Sequence, residues 1–217
     1  MSHSMRFIAP LHNRSGYAKA GRAILFAAQR AGVQVEAIES ERRFQATVRT
    51  DGSVQREWVP LFSHPLPSFQ REGILKGRET KVSQEAPTLI MGNPYSLSDW
   101  EEYTQGRRLG LTMWESEGVH PSWARACENV DTLLLPSRWN LETAERQIVR
   151  PRKRLFPLGV DERCWSPNGK RFEVKNRPDF LFVSVFSTCE RKGWRTLLQA
   201  FAEEFRGESV EIGRAHV

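Results

Sequence analysis

Short apolar runs recur along this chain, and the stretches between them have the spacing of amphipathic helices. Met5–Ala9 is the first run and ends at Pro10. A polar loop through Gly16 follows, after which Ala20, Ala23, Ile24, Ala27, Ala28 and Ala31 fall on one helical face. Gly32 is placed to stop that helix, and Val33–Ile38 is a second run. Parallel strands need a long crossover, which is usually a helix, so strand, helix and strand in this order favour a parallel sheet.

The same alternation continues. Thr88–Met91, Leu109–Trp114, Thr132–Leu135 and Leu155–Val160 read as strands. Pro121–Val130 and Leu141–Ile148 read as helices, the second with Asn140 as N-cap. Between the second and third runs the pattern is less regular. Two strand-like stretches flank Asp51-Gly52, a hairpin turn signal, and Ser63–Ala86 is rich enough in Pro, Gly and charge to read as loop. Cys164–Asp179 has linker composition. Phe180 then opens a second α/β unit, in which Trp194, Leu197, Leu198, Phe201 and Phe205 form a core stripe. The expected division is a first domain over 1–163, a linker over 164–179, the start of a second domain over 180–210, and a tail over 211–217.

Charge and cysteine content narrow the function classes. The formal charge is +6 and the pI about 9.5, a field that suits an anionic ligand. The densest cluster, Arg150, Arg152, Lys153 and Arg154, reads as solvated surface. Elsewhere the cations are scattered, so a nucleic-acid face is not expected. Cys127, Cys164 and Cys189 are far apart and odd in number, which argues against a zinc site or disulfide framework and for reduced thiols in a cytoplasmic protein. No run is long and apolar enough for a transmembrane segment. Peripheral membrane contact through the basic patches stays open.

Candidate functional residues sit where strands give way to loops. Arg191, Lys192 and Gly193 follow the strand that opens the second unit and precede its helix. A phosphate there would meet backbone N–H groups, the helix dipole and two cations, while a solvated basic pair is the plainer alternative. Ser15, Gly16 and Tyr17 follow the first strand, where open parallel sheets bind ligands or simply turn. GxGxxG is missing there, which disfavours a nicotinamide cofactor. Glu115 follows another strand end and could accept hydrogen bonds from sugar hydroxyls or cap a turn, with Glu117 nearby and His120 a structural residue. Ser137 and Arg138 stand at a further strand-to-helix turn; GxSxG is absent, so a hydrolase elbow is excluded.

Taken in order, PSRWN, PLGVDERCWSP and FLFVSVFSTCERKGWRTLLQAFAEEF resemble the retaining glycosyltransferases of family 4, group 1, which have the GT-B fold. TMWES is similar to the branch with a T-x-W-E motif, and SGYA fits the family's N-terminal glycine loop. The resemblance covers most of residues 5–206. It implies two Rossmann-like domains facing each other across a cleft, without metal or other cofactor. A nucleotide-diphosphate sugar would be the donor and a sugar, lipid-linked group or protein the acceptor. Arg191 and Lys192 would neutralise the donor diphosphate, Gly16 would approach the donor from the other domain, and transfer would retain configuration without a protein nucleophile. One departure is Val185–Ser187, where the family often has Gly-Arg.

The family's second acidic motif, E-x7-E, has no counterpart here, so the resemblance implies a C-terminally truncated fragment with negligible transferase activity. The tail EIGRAHV back-translates to a sequence resembling a common sequencing-adapter oligonucleotide and is expected to be non-native. A non-catalytic Rossmann-like binding module with a basic surface and another GT-B enzyme are the alternatives.

Overall fold

The computed structural model describes residues 3–12, 15–40, 42–48, 54–60, 68–98, 100, 103–160, 162, 166–169, 181–186, 190–206 and 211–215. It divides into two compact units, Met1–Glu162 and Arg163–Val217.

The first unit is built on six parallel strands: β1 (Ser4–Ala9), β2 (Gln34–Glu39), β5 (Thr88–Met91), β6 (Arg108–Leu111), β7 (Thr132–Leu135) and β8 (Arg152–Leu155). Their spatial order is β2-β1-β5-β6-β7-β8, and every pairing is parallel. This is a Rossmann-like α/β sheet. β3 (Arg42–Val48) and β4 (Val54–Pro60) form a separate antiparallel pair. The Asp51-Gly52 turn signal between them lies outside the described residues.

Both faces of the sheet are covered, which is why its central strands read as unbroken apolar runs. On one face Phe7, Ala9, Leu89 and Met91 pack with Leu25 of α1 (Gly16–Arg30) and Ile74 of α2 (Ser68–Glu79). On the other, Ile8, Ile90, Leu133 and Leu135 pack with Cys127 of α3 (Pro121–Cys127), Ala144 of α4 (Arg138–Gln147), Trp100 and Trp114. Burial at this density contributes on the order of 1.5–3 kcal/mol per large apolar side chain.

Several elements differ from the sequence expectation. The fully buried residues of α1 are Ala18, Gly21, Arg22 and Leu25; of the expected stripe, Ala20, Ile24 and Ala28 pack partly buried against the core, while Ala23 and Ala27 are exposed. A Cβ on Gly21 would stand 2.8 Å from Pro10 O, so glycine lets the helix lie against the end of β1. Arg22 is buried because its Nη1 donates to Leu11 O at 2.7 Å. α2 occupies part of the expected loop. Its two glycines lower helix propensity, but they serve packing: a Cβ on Gly77 would stand 2.7 Å from the Ala37 Cβ, and one on Gly73 would run into the Phe26 ring. Gly32 does stop α1, at φ 79°, with its N–H donating to Gln29 O.

The N-cap of α4 is Ser137, whose Oγ accepts from Asn140 N at 3.1 Å; Asn140 is inside the helix. The strand near residue 155 lies earlier than expected, within the basic cluster, and forms the outer edge of the sheet. Charged side chains are a usual protection for such an edge.

In the second unit, β9 (Leu181–Val185) is followed by a 3₁₀ turn at Glu190–Lys192, α5 (Trp194–Glu204) and β10 (Glu211–Ala215). β9 and β10 pair in parallel, Leu181 beside Glu211 through Val185 beside Ala215. The segment expected as a non-native tail therefore takes the place of a second strand. Phe182, Phe201 and Phe205 form a ring cluster with centroids 4.9–5.7 Å apart. The expected core stripe is only partly covered, since Leu197 and Leu198 are 37% and 43% exposed. Among the described residues, the second unit has two strands and one helix, and no second layer covers the other face of the strand pair.

Candidate functional site

In the large sheet the chain passes from β1 outward to β2, then returns to β5 on the other side of β1 and continues outward to β8. The strand order reverses between β1 and β5. In open parallel sheets the crevice beyond the carboxyl ends of the strands at such a reversal is the binding position. Three strand ends meet there. β1 leads to His12 and the Ser15–Tyr17 turn, β5 to Gly92–Tyr95, and β6 to Thr112–Glu115.

Tyr17 joins these strand ends. Its hydroxyl donates to Met113 O at 3.4 Å. Burial pushes its pKa above the usual 10, and the charges of Glu115 and Tyr95 add to the rise. Thr112 Oγ1 is buried without a well-formed hydrogen bond, yet lies close enough to the phenol to work in the opposite direction. The phenol is therefore a neutral hydrogen-bonding group, not a base. Ser15 caps α1, its Oγ accepting from Ala18 N at 3.1 Å, and is committed to that role. Gly16 is the exposed first residue of α1, with open space where a side chain would be.

Glu115 is exposed and follows Trp114, whose position is fixed from α4. Asn140 Nδ2 donates to Trp114 O at 2.9 Å, while Asn140 Oδ1 accepts from Ser137 Oγ at 3.1 Å. Ser137 is thus a cap and a brace for the Glu115 segment. Arg138 is exposed at the start of α4. His120 caps α3, its Nδ1 accepting from Ser122 N at 3.3 Å, with the Trp123 ring edge-on to it. Glu117 is exposed, and its carbonyl accepts from Gln147 Nε2.

Two side-chain pairs at these strand ends are not evident in the sequence. Asn93 Nδ2 donates to Tyr95 Oη at 3.1 Å, and Tyr95 is 56% exposed beside Tyr17. His12 Nδ1 meets Glu39 Oε2, and the same buried carboxylate accepts from Leu11 N. Glu39 ends β2 directly beside Ala9, so the pair forms through parallel register across 27 residues of sequence. Asn93 does follow an apolar run, which could have marked it; Glu39 has no local signal.

In the second unit, Arg191 and Lys192 are exposed on the 3₁₀ turn. Gly193 is the N-cap of α5 at φ 64°, a left-handed conformation that glycine adopts without strain. Its Cβ position faces open space, so a ligand could approach the backbone closely. No side-chain hydrogen bond caps α5 at Gly193, and the turn before it carries Arg191 and Lys192 together with Glu190, which pairs with Arg195 Nε at 2.9 Å. That is the electrostatics of an anion site.

Among the described residues, no group of three or more His, Cys, Asp or Glu could hold a metal ion, and no helix is long and apolar enough to cross a membrane. The class defined by this geometry is an open parallel α/β protein whose strand order reverses between β1 and β5. No protein-family model matches the chain, and no curated protein matches it.

Proposed function

We propose that this chain belongs to a retaining glycosyltransferase of GT-B organisation, similar to family 4, that takes its sugar from a nucleotide-diphosphate donor. The supporting observation is the Arg191-Lys192-Gly193 turn between β9 and α5, with a left-handed glycine, uncapped helix N–H groups and two exposed cations. During transfer the bond from the sugar's anomeric carbon to the diphosphate breaks, and negative charge grows on the departing phosphate. Arg191 and Lys192 stabilise that charge, and the N–H groups at the start of α5 add to it. The acceptor hydroxyl oxygen forms the new bond on the same face of the sugar, and its proton passes to the departing phosphate oxygen. The crevice of the first unit holds the acceptor, with Tyr17 and Glu115 as hydrogen-bonding groups.

Titration calorimetry of the purified chain with UDP, GDP, ADP and dTDP tests this. One of the four should bind, and replacing Arg191 and Lys192 by alanine together should weaken it by at least ~10-fold, since hydrogen bonds to charged groups are worth ~1.5–3 kcal/mol each. Absence of binding by all four, or undiminished binding by the double variant, would overturn the proposal.

A further inference from the structure

The β8 edge of the first unit carries a surface that the proposed transferase chemistry does not use. Arg150, Arg152 and Arg154 are exposed along it, and none takes part in a salt bridge among the described residues. Val149 is 83% exposed, and Leu155 and Phe156 are 39% and 37% exposed. From 149 to 160 the sequence contains no acidic residue. Among the described residues β8 pairs only with β7 and is the edge strand of the sheet.

Basic side chains on an edge strand discourage strand addition, which accounts for the arginines alone. It does not account for three exposed apolar side chains among them, because these weaken that protection. A nucleic-acid surface would combine the arginines with stacking rings and has no use for Val149 or Leu155. A membrane bearing anionic lipid uses both kinds of group: arginines meet the headgroup phosphates, while the apolar side chains enter the boundary with the acyl chains. Leu155 and Phe156 also lie at the same end of the sheet as Ser137 and Arg138.

We propose that the β8 edge is a docking surface for membranes rich in anionic phospholipid. It binds in the interface plane without crossing it. The inference stands independently of the transferase proposal, because vesicle binding requires neither donor nor acceptor.

Co-sedimentation with vesicles of phosphatidylcholine alone, and of phosphatidylcholine with phosphatidylglycerol, tests it. The chain should partition to the second and not the first, and added salt should release it. Changing Arg150, Arg152 and Arg154 to Gln together should weaken partitioning ~100-fold, since each basic residue near such a surface contributes ~1 kcal/mol. Leu155→Ser with Phe156→Ser should also weaken it while leaving the salt dependence in place. Far-UV circular dichroism establishes that both variants keep the fold. Equal partitioning to both vesicle types, no partitioning to either, or a triple variant that partitions as the parent does would each overturn the proposal. So would single-stranded RNA binding, lost in the triple variant, by a chain that ignores vesicles.

Discussion

Asn140 connects α4 to the strand end that carries Glu115, and Asn140→Ala measures what that connection is worth. The side chain is 4% exposed. Its loss leaves the Trp114 carbonyl without its donor in a buried setting, a cost of ~1–3 kcal/mol. The Ser137 Oγ contact to Asn140 Oδ1 is lost as well, but the helix cap survives, because Ser137 Oγ accepts from the backbone N–H of residue 140. Alanine returns about 0.5 kcal/mol of helix propensity. The net expectation is destabilisation of the first unit by about 2 kcal/mol. With a urea slope of ~1–3 kcal/mol/M, the unfolding midpoint should fall by about 1 M. Asn140→Asp should cost more, because a carboxylate would then face the Trp114 carbonyl. Urea unfolding followed by near-UV circular dichroism reports both variants. A shift in Asn140→Ala within about 0.5 kcal/mol, the size of an ordinary surface change, would refute the claim that this bond fixes the Glu115 segment.

Three further outcomes follow from the packing and charge of the first unit. Gly77→Ala should destabilise by ~1–3 kcal/mol in thermal unfolding despite its better helix propensity, because the new methyl meets the Ala37 Cβ; a stabilised variant would show that α2 does not lie there. Burial opposes the charge of Glu36, but bonds from Lys81 and Arg6 outweigh it and hold its pKa below the ordinary 4.5. Its stabilising contribution is therefore present above pH 4.5 and lost as pH falls through the lower folded value, so Glu36→Gln should flatten that part of the stability profile. An unchanged acid limb in that variant would contradict the assignment. Burial pushes the Cys127 thiol up to about 12, so iodoacetamide at mildly alkaline pH should modify it only after unfolding, as mass spectrometry of the Cys127 peptide would show.

The sequence discloses elements that are buried on both sides and hides those whose burial depends on a neighbour. β5 is legible because all four of its residues are buried and three of them, Leu89, Ile90 and Met91, form an unbroken apolar run. β8 is obscured because an edge strand carries charge where a central strand carries valine or leucine. α2 is misread as loop because Gly73 and Gly77, which break a helix in isolation, let this one approach Phe26 and Ala37. α1 is recognisable as a helix, but its buried face is rotated, since Arg22 is drawn inward by the Leu11 carbonyl.

The site divides in the same way. Ser15, Tyr17, Glu115, Ser137 and the Arg191-Lys192 turn follow from their places at strand ends. Tyr95 lies on a 3₁₀ turn, Pro94–Ser98, that Asn93 precedes and that has no periodic signature, and the His12–Glu39 pair exists only once β1 and β2 are in register.

The most direct test of the donor-phosphate claim is a ¹H–¹⁵N NMR titration of the labelled chain with the nucleoside diphosphate that binds. The largest shifts should fall on the amides of Gly193, Trp194 and Arg195 at the start of α5, and the Arg191→Ala, Lys192→Ala variant should abolish them. Shifts confined to the first unit, or none at the start of α5, would contradict it.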